Sequence, residues 1–374
     1  MLQSRLMVAE TTRKNFIFIP VFALLIIVSF TSGWIIRGRP SQELPTLPLA
    51  EPPNDGIRLQ LRLGGHKWVK PLLVCDIDPV SEEEAVQPIK HQIEQEIQKG
   101  VQGRIIQTAS IYFRDLVTSR QFSVRGNETF YPSSLRKIPL LISVFKMSET
   151  APDMLDKVRV QLTGQDQNGQ QEIKPKQFAE VGKTYFMEDL VEKMIKYSDN
   201  NATAAVSSVS GVQTIRGVFE DLYVPFIGSP KGLKSVEDIE GITAYQFSFF
   251  LRVLYNASYL SNDLSERALH LMSQVDFKEG LNAGVPNNIP VAHKFGLMTL
   301  QERNGPIVGR QLHDCGIVYH PKRPYILCVM TKSTATIIEM GQFIGRISAM
   351  VYARVDNLPS LPSMRDKLTL PPRG

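Results

Sequence analysis

The chain has 374 residues, 43% of them hydrophobic, which is enough to bury the core of one large domain or two small ones. Its 42 basic and 37 acidic residues give a formal net charge of +5, a mild excess that suits an anionic surface such as a membrane. The sequence has no cluster of lysine and arginine with interleaved aromatic residues, which argues against a nucleic-acid-binding protein.

The first element in chain order is an apolar segment close to the N-terminus. Phe16–Ile36 has no charged residue and is about as long as the ~20 residues that cross a bilayer core. We predict a single-pass anchor in the cell membrane, with residues 1–15 as a cytoplasmic tail and the rest of the chain outside the cytoplasm. Basic residues flank the segment on both sides, so the charge asymmetry that sets its orientation is modest. A signal peptide cleaved near Gly33 is the alternative.

Two proline-rich segments bracket the region with regular periodicity. Residues 37–56 have little apolar periodicity and predict an extended tether. Residues 359–374 are also proline-rich and are predicted to be disordered. A single globular domain over residues 57–358 is expected between them.

Within this domain the periodicity predicts an early helix, a β-hairpin, a mostly helical middle, three strands and a closing helix. The early helix covers Ser81–Gly100, where Pro88 indicates either a kink or a later start. The remaining predicted segments are Thr108–Leu116 with Gln121–Val124, helices over Met187–Ile195, Ala244–Leu254 and Ser265–Val275, a strand over Ile289–Gly296, a hairpin over Asp314–Thr331, and a helix over Ile337–Val355. This order predicts an α/β sheet with helices on its faces plus an all-helical subdomain, and a site at their junction.

Cysteine and histidine contribute little to the functional reading. Cys75, Cys315 and Cys328 are odd in number, so at least one thiol is free or paired with another molecule. Cys315 and Cys328 flank a predicted turn and could face each other, but we expect buried thiols. The six histidines show no metal-ligand spacing, so we expect neither a metal nor another cofactor, and His293 and His313 are read as structural.

Ser134 and Lys137 are spaced i and i+3 where an apolar run begins at Ile138. In a helix they would share one face, and Pro132 suits the turn just before it. A serine is a poor nucleophile until a base takes its proton, and a lysine can be that base if burial or nearby positive charge lowers its pKa. The spacing thus indicates a serine nucleophile and a lysine base. Ser133 is the rival nucleophile, and the pair could instead lie on a solvated helix face.

Two later motifs support a functional role for the Ser134 and Lys137 pair. Ser198-Asp199-Asn200 follows the helix over Met187–Ile195, and Lys294-Phe295-Gly296 ends the strand over Ile289–Gly296. Alone, the first could be an ordinary turn and the second could carry a solvent-facing lysine. The order Ser-x-x-Lys, Ser-Asp-Asn, Lys-x-Gly resembles the superfamily of penicillin-binding proteins and class A β-lactamases. The resemblance covers about Leu73 to Arg354.

This resemblance implies a β-lactamase/transpeptidase-like fold, with an antiparallel sheet flanked by helices, an all-helical subdomain and the active site between them. It implies an extracytoplasmic serine hydrolase acting on β-lactams or D-Ala-D-Ala-type peptidoglycan peptides. Ser134 would form the acyl-enzyme, Lys137 would take its proton, and Ser198 would pass a proton to the leaving nitrogen. Lys294 would bind the substrate carboxylate and polarise Ser198.

Further roles follow from the same resemblance. Asn200 would bind the substrate amide, and Gly296 would let the strand approach the substrate. The backbone amides of Ser134 and Leu297 would form the oxyanion hole. Asp199 is expected to hold the turn, because a carboxylate aimed at Lys137 would keep that lysine protonated.

Two departures from the family pattern bear on function. Phe295 stands where the family has a hydroxyl, which weakens the expectation of carboxylate binding. Class A β-lactamases carry a deacylating glutamate in the loop that corresponds to Pro225–Glu240, yet Phe226–Lys234 contains no acid. Glu237, Asp238 and Glu240 lie later and lack the asparagine of the family motif, so we expect weak deacylation. The alternatives are a noncatalytic cell-wall-binding or structural module, or an anchored domain without chemistry.

Overall fold

The computed structural model of the chain describes residues 62–72, 87–226, 241–301 and 305–358. The predicted anchor, tether and C-terminal tail lie outside these ranges, as does the loop over Ile227–Lys234. None of the helices within the described ranges has both the length and the apolar composition that a membrane span requires.

Strands and helices follow one another in nearly the predicted order. The strands are β1 (Thr108–Asp115), β2 (Gln121–Val124), β3 (Arg159–Gln161), β4 (Thr184–Phe186), β5 (Val291–Gln301), β6 (Ile307–Val318) and β7 (Tyr325–Ser333). The helices are α1 (Gln87–Gln102), α2 (Lys137–Thr150), α3 (Met187–Lys196), α4 (Asn200–Asp221), α5 (Ala244–Tyr255), α6 (Asn262–Met272) and α7 (Ile337–Asp356). α1 is described from Gln87 onward, so the predicted start at Ser81 lies outside the described residues.

The main sheet has five strands in the order β2-β1-β7-β6-β5, and every neighbouring pair is antiparallel. Both predicted hairpins are present, and the pairing of β1 with β7 joins distant parts of the sequence. β5, which carries the third motif, is an edge strand of this sheet. No other strand of the described ranges pairs with its outer edge.

Helices cover both faces of the sheet. On β1, Tyr112 contacts Tyr245 of α5, with ring centroids 5.4 Å apart. The next residue, Phe113, lines a small cavity together with Ile89 of α1 and Val351 of α7. Successive strand residues point to opposite faces, so α5 lies on one face and α1 and α7 lie on the other. The predicted antiparallel sheet flanked by helices is confirmed.

The helical middle is centred on α2, whose residues from Lys137 to Phe145 are all buried. α3, α4 and α6 pack against it. α4 is interrupted at Gly211, where φ of 71° lies in the left-handed region that glycine tolerates. The middle also contains the short antiparallel pair β3–β4, which we did not predict because three-residue strands show little periodicity.

The prediction that Cys315 and Cys328 are buried thiols is wrong, because the two residues form a disulfide. Cys315 on β6 and Cys328 on β7 are directly opposite in the register, with Cα atoms 4.0 Å apart, and they form a disulfide. Both residues are fully buried. The sequence showed only that a turn separates the two cysteines, whereas the register decides whether they face each other. Cys75 lies outside the described residues.

Candidate active site

Ser134 lies in a short 3₁₀ helix, Ser133–Arg136, that leads directly into α2. Its neighbour Ser133 has φ of 49°, in the left-handed region that is strained for a residue with a side chain. The Ser133 hydroxyl is buried and finds no hydrogen-bond partner among the described residues. Ser134 is half-buried and lines two cavities, whereas Ser133 lines one of them. Of the two candidate nucleophiles, Ser134 has the more open surroundings.

Lys137, the first residue of α2, reaches the second motif. Its ammonium group donates to the Ser198 carbonyl oxygen at 2.6 Å, to Ser198 Oγ at 3.1 Å and to Asn200 Oδ1 at 2.9 Å. Only 3% of the residue is exposed. Burial lowers the pKa of Lys137 well below its ordinary value, the cation of Lys294 lowers it further, and Asp199 opposes both. The structure thus brings together the first two motifs as the sequence predicts, and favours the neutral amine that a base requires.

Asp199 holds the turn between α3 and α4. Its carboxylate accepts hydrogen bonds from Asn168 Nδ2 at 2.7 Å, from the amide of Ala179 at 2.7 Å and from the amide of Asn201 at 2.9 Å. The last of these makes Asp199 the N-cap of α4. Its carboxylate oxygens are therefore engaged by the turn and by a neighbouring loop, and its hydrogen bonds do not include Lys137 within the described part of the chain.

Lys294 has fewer partners. It is fully buried, and its ammonium group donates to the carbonyl oxygen of Phe295 at 3.2 Å and lies 4.0 Å from the centroid of the Phe295 ring. Burial lowers the pKa of Lys294 to about 7, although Asp314 acts to raise it. No hydrogen bond joins Lys294 to Ser198 in the described structure, so any polarisation of Ser198 by this cation acts through space.

The Phe295 ring contacts a second aromatic ring in addition to the Lys294 ammonium group. Its ring stacks on Phe277 with the centroids 4.4 Å apart, and it also lines the cavity that contains Ser198. A residue with a hydroxyl at this position could offer a substrate carboxylate a hydrogen bond, which phenylalanine cannot do. The third motif therefore supplies a cation without an adjacent hydroxyl.

Gly296 lets β5 pass close to the serine turn. A Cβ atom built on it would lie 2.8 Å from the Pro132 carbonyl oxygen and 3.1 Å from Leu135 Cγ. We expected that Gly296 would let the strand approach the substrate. In the structure its missing side chain lets β5 pack closely against the turn that contains Ser134. The following residue, Leu297, lines both cavities beside Ser134 and lies on the edge strand β5.

The two cavities meet at Ser134, Asn200 and Leu297. One, which we call the apolar chamber because it is the more apolar of the two, has a volume of about 390 Å³. Its apolar lining residues include Leu140, Ile215, Phe219, Phe226 and Met298, and its polar ones include Ser133, Arg136, Lys137, Thr203 and Ser207. The other, which we call the polar cleft, has a volume of about 290 Å³ and contains Ser198, Gln167, Gln170, Gln171, Glu172 and Thr299. The candidate nucleophile Ser134 therefore lies between the apolar chamber and the polar cleft.

The loop over residues 166–173 is a part of the site that sequence reasoning missed. Asn168 Oδ1 accepts the amide of Asn200 at 2.8 Å, and Gln171 Nε2 donates to the Ser198 carbonyl oxygen at 3.3 Å. Glu172 accepts from Arg310 Nη2 at 2.7 Å and from Thr299 Oγ1 at 2.6 Å. The loop therefore links the second motif to β5 and β6. Its sequence showed only a polar turn, and no local signal indicates such long-range partners.

The histidines near the third motif have structural partners, as expected. His293 Nδ1 lies 2.7 Å from Asp314 Oδ1, and His313 Nε2 lies 3.0 Å from the carbonyl oxygen of Tyr131. Both residues are fully buried. The described residues contain no group of three histidine, cysteine or carboxylate side chains that could hold a metal ion.

Comparison with known proteins agrees with this arrangement. The sequence profile of a family described as the beta-lactamase enzyme family matches residues 92–355. No curated protein sequence matches the chain.

Solved structures show the same fold at low sequence identity. PBP-A superposes with a TM-score of 0.61 at 21% identity, over 75% of this chain and 100% of its own. A class A beta-lactamase from Bacteroides cellulosilyticus gives 0.60 at 18% identity, over 72% of this chain and 98% of its own. A mutant of PBP-A, at 22% identity with a TM-score of 0.61 over 75% of this chain and all of its own, was solved as an acyl-enzyme complex with penicillin-G.

Proposed function

Because the chain belongs to the beta-lactamase enzyme family, we propose that it is a serine hydrolase that works through an acyl-enzyme on Ser134. The observation that carries this proposal is the environment of Lys137. The lysine is buried one turn after Ser134, its pKa is lowered, and its ammonium group is fixed by Ser198 and Asn200. A decayed site has no reason to keep a buried cation oriented in this way.

The geometry supports a sequence of proton transfers without a cofactor. Ser134 Oγ attacks the substrate carbonyl while Lys137 takes its proton. The proton then passes to Ser198 Oγ, 3.1 Å from Lys137 Nζ, and from there to the leaving nitrogen as the carbonyl–nitrogen bond breaks. The backbone amides of Ser134 and Leu297 stabilise the negative oxygen of the tetrahedral intermediate.

The substrates proposed are β-lactams or D-Ala-D-Ala-type peptides of peptidoglycan. The acyl-enzyme of penicillin-G with the PBP-A mutant supports the first class, since that protein shares the fold. Lys294 attracts the substrate carboxylate while it is protonated, and Asn200 binds the substrate amide. The missing hydroxyl at Phe295 leaves this carboxylate interaction weaker than a lysine and hydroxyl together would make it.

Deacylation is proposed to be slow. A water molecule that attacks the ester must lose a proton, and none of the described residues that line the apolar chamber carries a carboxylate. The polar cleft contains Glu172, but its carboxylate is engaged by Arg310 and Thr299. Losing a general base slows a step by about 10²–10⁴. The acyl-enzyme should therefore persist, as in a D,D-peptidase inhibited by penicillin rather than in an efficient β-lactamase.

The test is pre-steady-state hydrolysis of a chromogenic cephalosporin, with mass spectrometry of the intact protein. We expect a burst of one product per enzyme, an adduct on Ser134, and no adduct in Ser134→Ala, while Ser133→Ala still labels. Rapid turnover without a burst, lost in Glu237→Gln, Asp238→Asn or Glu240→Gln, would show an efficient β-lactamase instead. Absence of any adduct in the wild type would favour the noncatalytic cell-wall-binding module.

We also propose that Phe16–Ile36 anchors the chain in the cell membrane, with the catalytic domain on the extracytoplasmic side. The support is the uncharged apolar segment followed by the proline-rich tether. A reporter enzyme fused after Gly56 should be active only outside the cytoplasm, and membrane fractions should contain the full-length chain. A soluble product that begins near Gly33 would identify a cleaved signal peptide.

A further inference from the structure

Gln171 gives the backbone carbonyl oxygen of Ser198 a second hydrogen bond. That oxygen accepts from Lys137 Nζ at 2.6 Å and from Gln171 Nε2 at 3.3 Å. The bond from Gln171 is the longer and weaker of the two. Only 3% of Ser198 is exposed, so water has little access to replace a lost donor. Gln171 takes no part in the proton transfers proposed for Ser134, Lys137 and Ser198, so its hydrogen bond needs a separate explanation.

The Gln171 side-chain atom that faces Ser198 is the amide nitrogen. This atom lies between two acceptors, because it also donates to Asn168 Oδ1 at 3.1 Å. Asn168 Oδ1 accepts the backbone amide of Asn200 at 2.8 Å, which identifies it as an oxygen. A side-chain amide nitrogen carries two hydrogen atoms, one for each of these acceptors. The partners of Gln171 therefore orient its side chain so that it donates to Ser198.

The backbone on both sides of Gln171 is held as well. Asn168 is buried and donates to Asp199 Oδ1 at 2.7 Å, and the backbone amide of Gln171 donates to the Asn168 carbonyl oxygen at 3.1 Å. The next residue, Glu172, accepts from Arg310 Nη2 on β6 at 2.7 Å. The loop is therefore anchored both at the second motif and at the sheet, which keeps the Gln171 side chain in place.

Lys137 has more acceptors than a neutral amine can serve. As an ammonium group it has three N–H bonds for three acceptors, which are the Ser198 carbonyl oxygen, Ser198 Oγ and Asn200 Oδ1. To take the proton of Ser134 it must be neutral, with two N–H bonds and its lone pair directed at Ser134 Oγ. One of the three acceptors then loses its donor. Within the described structure only the Ser198 carbonyl oxygen has a second donor, so it is the acceptor that can lose Lys137 without being left unpaired.

We propose that Gln171 is a positioning residue for the base: it stays hydrogen-bonded to the Ser198 carbonyl oxygen while Lys137 releases that atom and turns its lone pair toward Ser134. This inference rests on the proposed acyl-enzyme at Ser134. The Ser134 proton moves to Lys137 Nζ as the bond from Ser134 Oγ to the substrate carbonyl carbon forms, and no oxidant or reductant takes part. Without Gln171 the Ser198 carbonyl oxygen depends on Lys137 alone, which favours the protonated ammonium group.

The charged groups that face Lys137 stay the same when Gln171 is replaced by a neutral residue of similar size. Burial is the largest cause of the lowered pKa of Lys137. A change in the pH dependence of acylation therefore reports the lost hydrogen bond and not a change in charge. The charged groups that act on Lys137 are Lys294 on β5 and Arg136 in the preceding turn, which lower its pKa, and Asp199 before α4, which raises it.

The experiment measures acylation of the purified full-length chain by p-nitrophenyl acetate, a neutral ester, between pH 5 and pH 10. Rate constants come from the release of p-nitrophenolate with Ser134→Ala as background, and mass spectrometry places the acetyl group on Ser134. Gln171→Met keeps the size of the side chain and removes the donor. We expect the midpoint of the rise in rate to move up by about one pH unit, which lowers the rate below the midpoint about tenfold. The rate at high pH should stay within about twofold of the wild type, because Lys137 is neutral there in both proteins.

Two further variants test whether the effect belongs to the hydrogen bond of Gln171. Gln170→Met is the matched control, because Gln170 lines the same polar cleft and, in the described part of the chain, makes no hydrogen bond to the second motif. Its midpoint should equal that of the wild type. Gln171→Glu places a negatively charged acceptor where the donor was, and should move the midpoint up further than Gln171→Met does.

The outcomes separate this inference from the function it rests on. An unchanged midpoint in Gln171→Met, whether or not the rate falls at every pH, would overturn the role of Gln171 and leave the serine hydrolase standing. An equal shift in Gln170→Met would do the same. Failure of both this ester and penicillin to label Ser134 in the wild type would overturn the hydrolase itself. Because the midpoint is read within each variant, a partly misfolded sample lowers the rate at all pH values and does not imitate the shift.

Discussion

The two lysines of the site are equally buried but differently held. Lys137 donates to three oxygen atoms of Ser198 and Asn200. Lys294 donates to the carbonyl oxygen of its neighbour Phe295, and its ammonium group lies over the Phe295 ring. Burial is the largest cause of the lowered pKa in both. The comparison teaches that desolvation alone adjusts the charge of a lysine, whereas hydrogen bonds to defined acceptors fix the position of its nitrogen atom.

The difference follows from the elements that carry each residue. Lys137 begins a buried helix that packs against α4. Hydrogen bonds from Asn168 to the residues that follow Ser198 hold the turn in place. Lys294 lies on an edge strand, where Phe295 takes up packing against Phe277 in place of a polar contact. We therefore assign directional proton transfer to Lys137 and charge attraction to Lys294.

Removing each lysine in turn gives the largest expected effect. Lys137→Ala should lower the acylation rate by about 10²–10⁴, the usual contribution of a positioned general base. Lys294→Ala should act mainly on the affinity for carboxylate-bearing ligands and much less on a neutral ester. Stopped-flow acylation with both kinds of ligand measures this. If both variants lose the same acylation rate with a neutral ester, the two lysines do not have different roles.

The stability cost of Lys294 is the next effect in size. Its folded pKa of about 7 lies below its ordinary value, so at intermediate pH the unfolded chain binds more protons and stability rises with pH. Lys294→Met should raise the free energy of unfolding at pH 7 by about 1–4 kcal/mol, because an apolar residue carries no desolvation penalty. Urea unfolding between pH 6 and pH 10 measures this, with the exposed Lys157→Met as control. A destabilised Lys294→Met would contradict it.

The pH dependence should also distinguish the two residues. Acylation by a neutral ester should rise with pH through the lowered pKa of Lys137, since the base must be neutral. For an anionic β-lactam, the increase in acylation rate should be offset above about pH 7. There Lys294 loses its charge, and the affinity for the ligand falls by roughly tenfold. Profiles of kcat/KM for both ligands measure this. Identical profiles would mean that Lys294 does not bind the carboxylate.

The smallest effect on ligand binding is expected from Phe295→Thr, which places a hydroxyl in the third motif. Affinity for a carboxylate-bearing ligand should rise about fivefold, which corresponds to the ~1 kcal/mol of one typical added hydrogen bond. Loss of the stacking on Phe277 should cost about 3–5 kcal/mol of stability. Phe295→Leu controls for lost stacking without a hydroxyl, and an equal gain in affinity there would show that the hydroxyl is not responsible.

Much of the site could be predicted from short-range patterns. The i and i+3 spacing of Ser134 and Lys137, the polar turn at Ser198 and the position of Lys294 on a strand were all legible in the sequence. The partners of Glu172 were not, because Arg310 and Thr299 are far away along the chain and no local periodicity records that contact. The Cys315–Cys328 bond was missed for a related reason, since a turn length does not fix strand register.

The sequence by itself determined the order of elements, the three motifs and the family resemblance, because helix and strand periodicities and turn residues are local properties. Only the tertiary structure decided that Lys137 donates to three oxygen atoms of the second motif whereas Lys294 donates to one carbonyl oxygen, that Gly296 makes room for the serine turn, and that two cavities meet at Ser134. Burial and hydrogen-bond geometry depend on which distant segments pack together, and these set both the pKa of a lysine and the shape of the space beside a nucleophile.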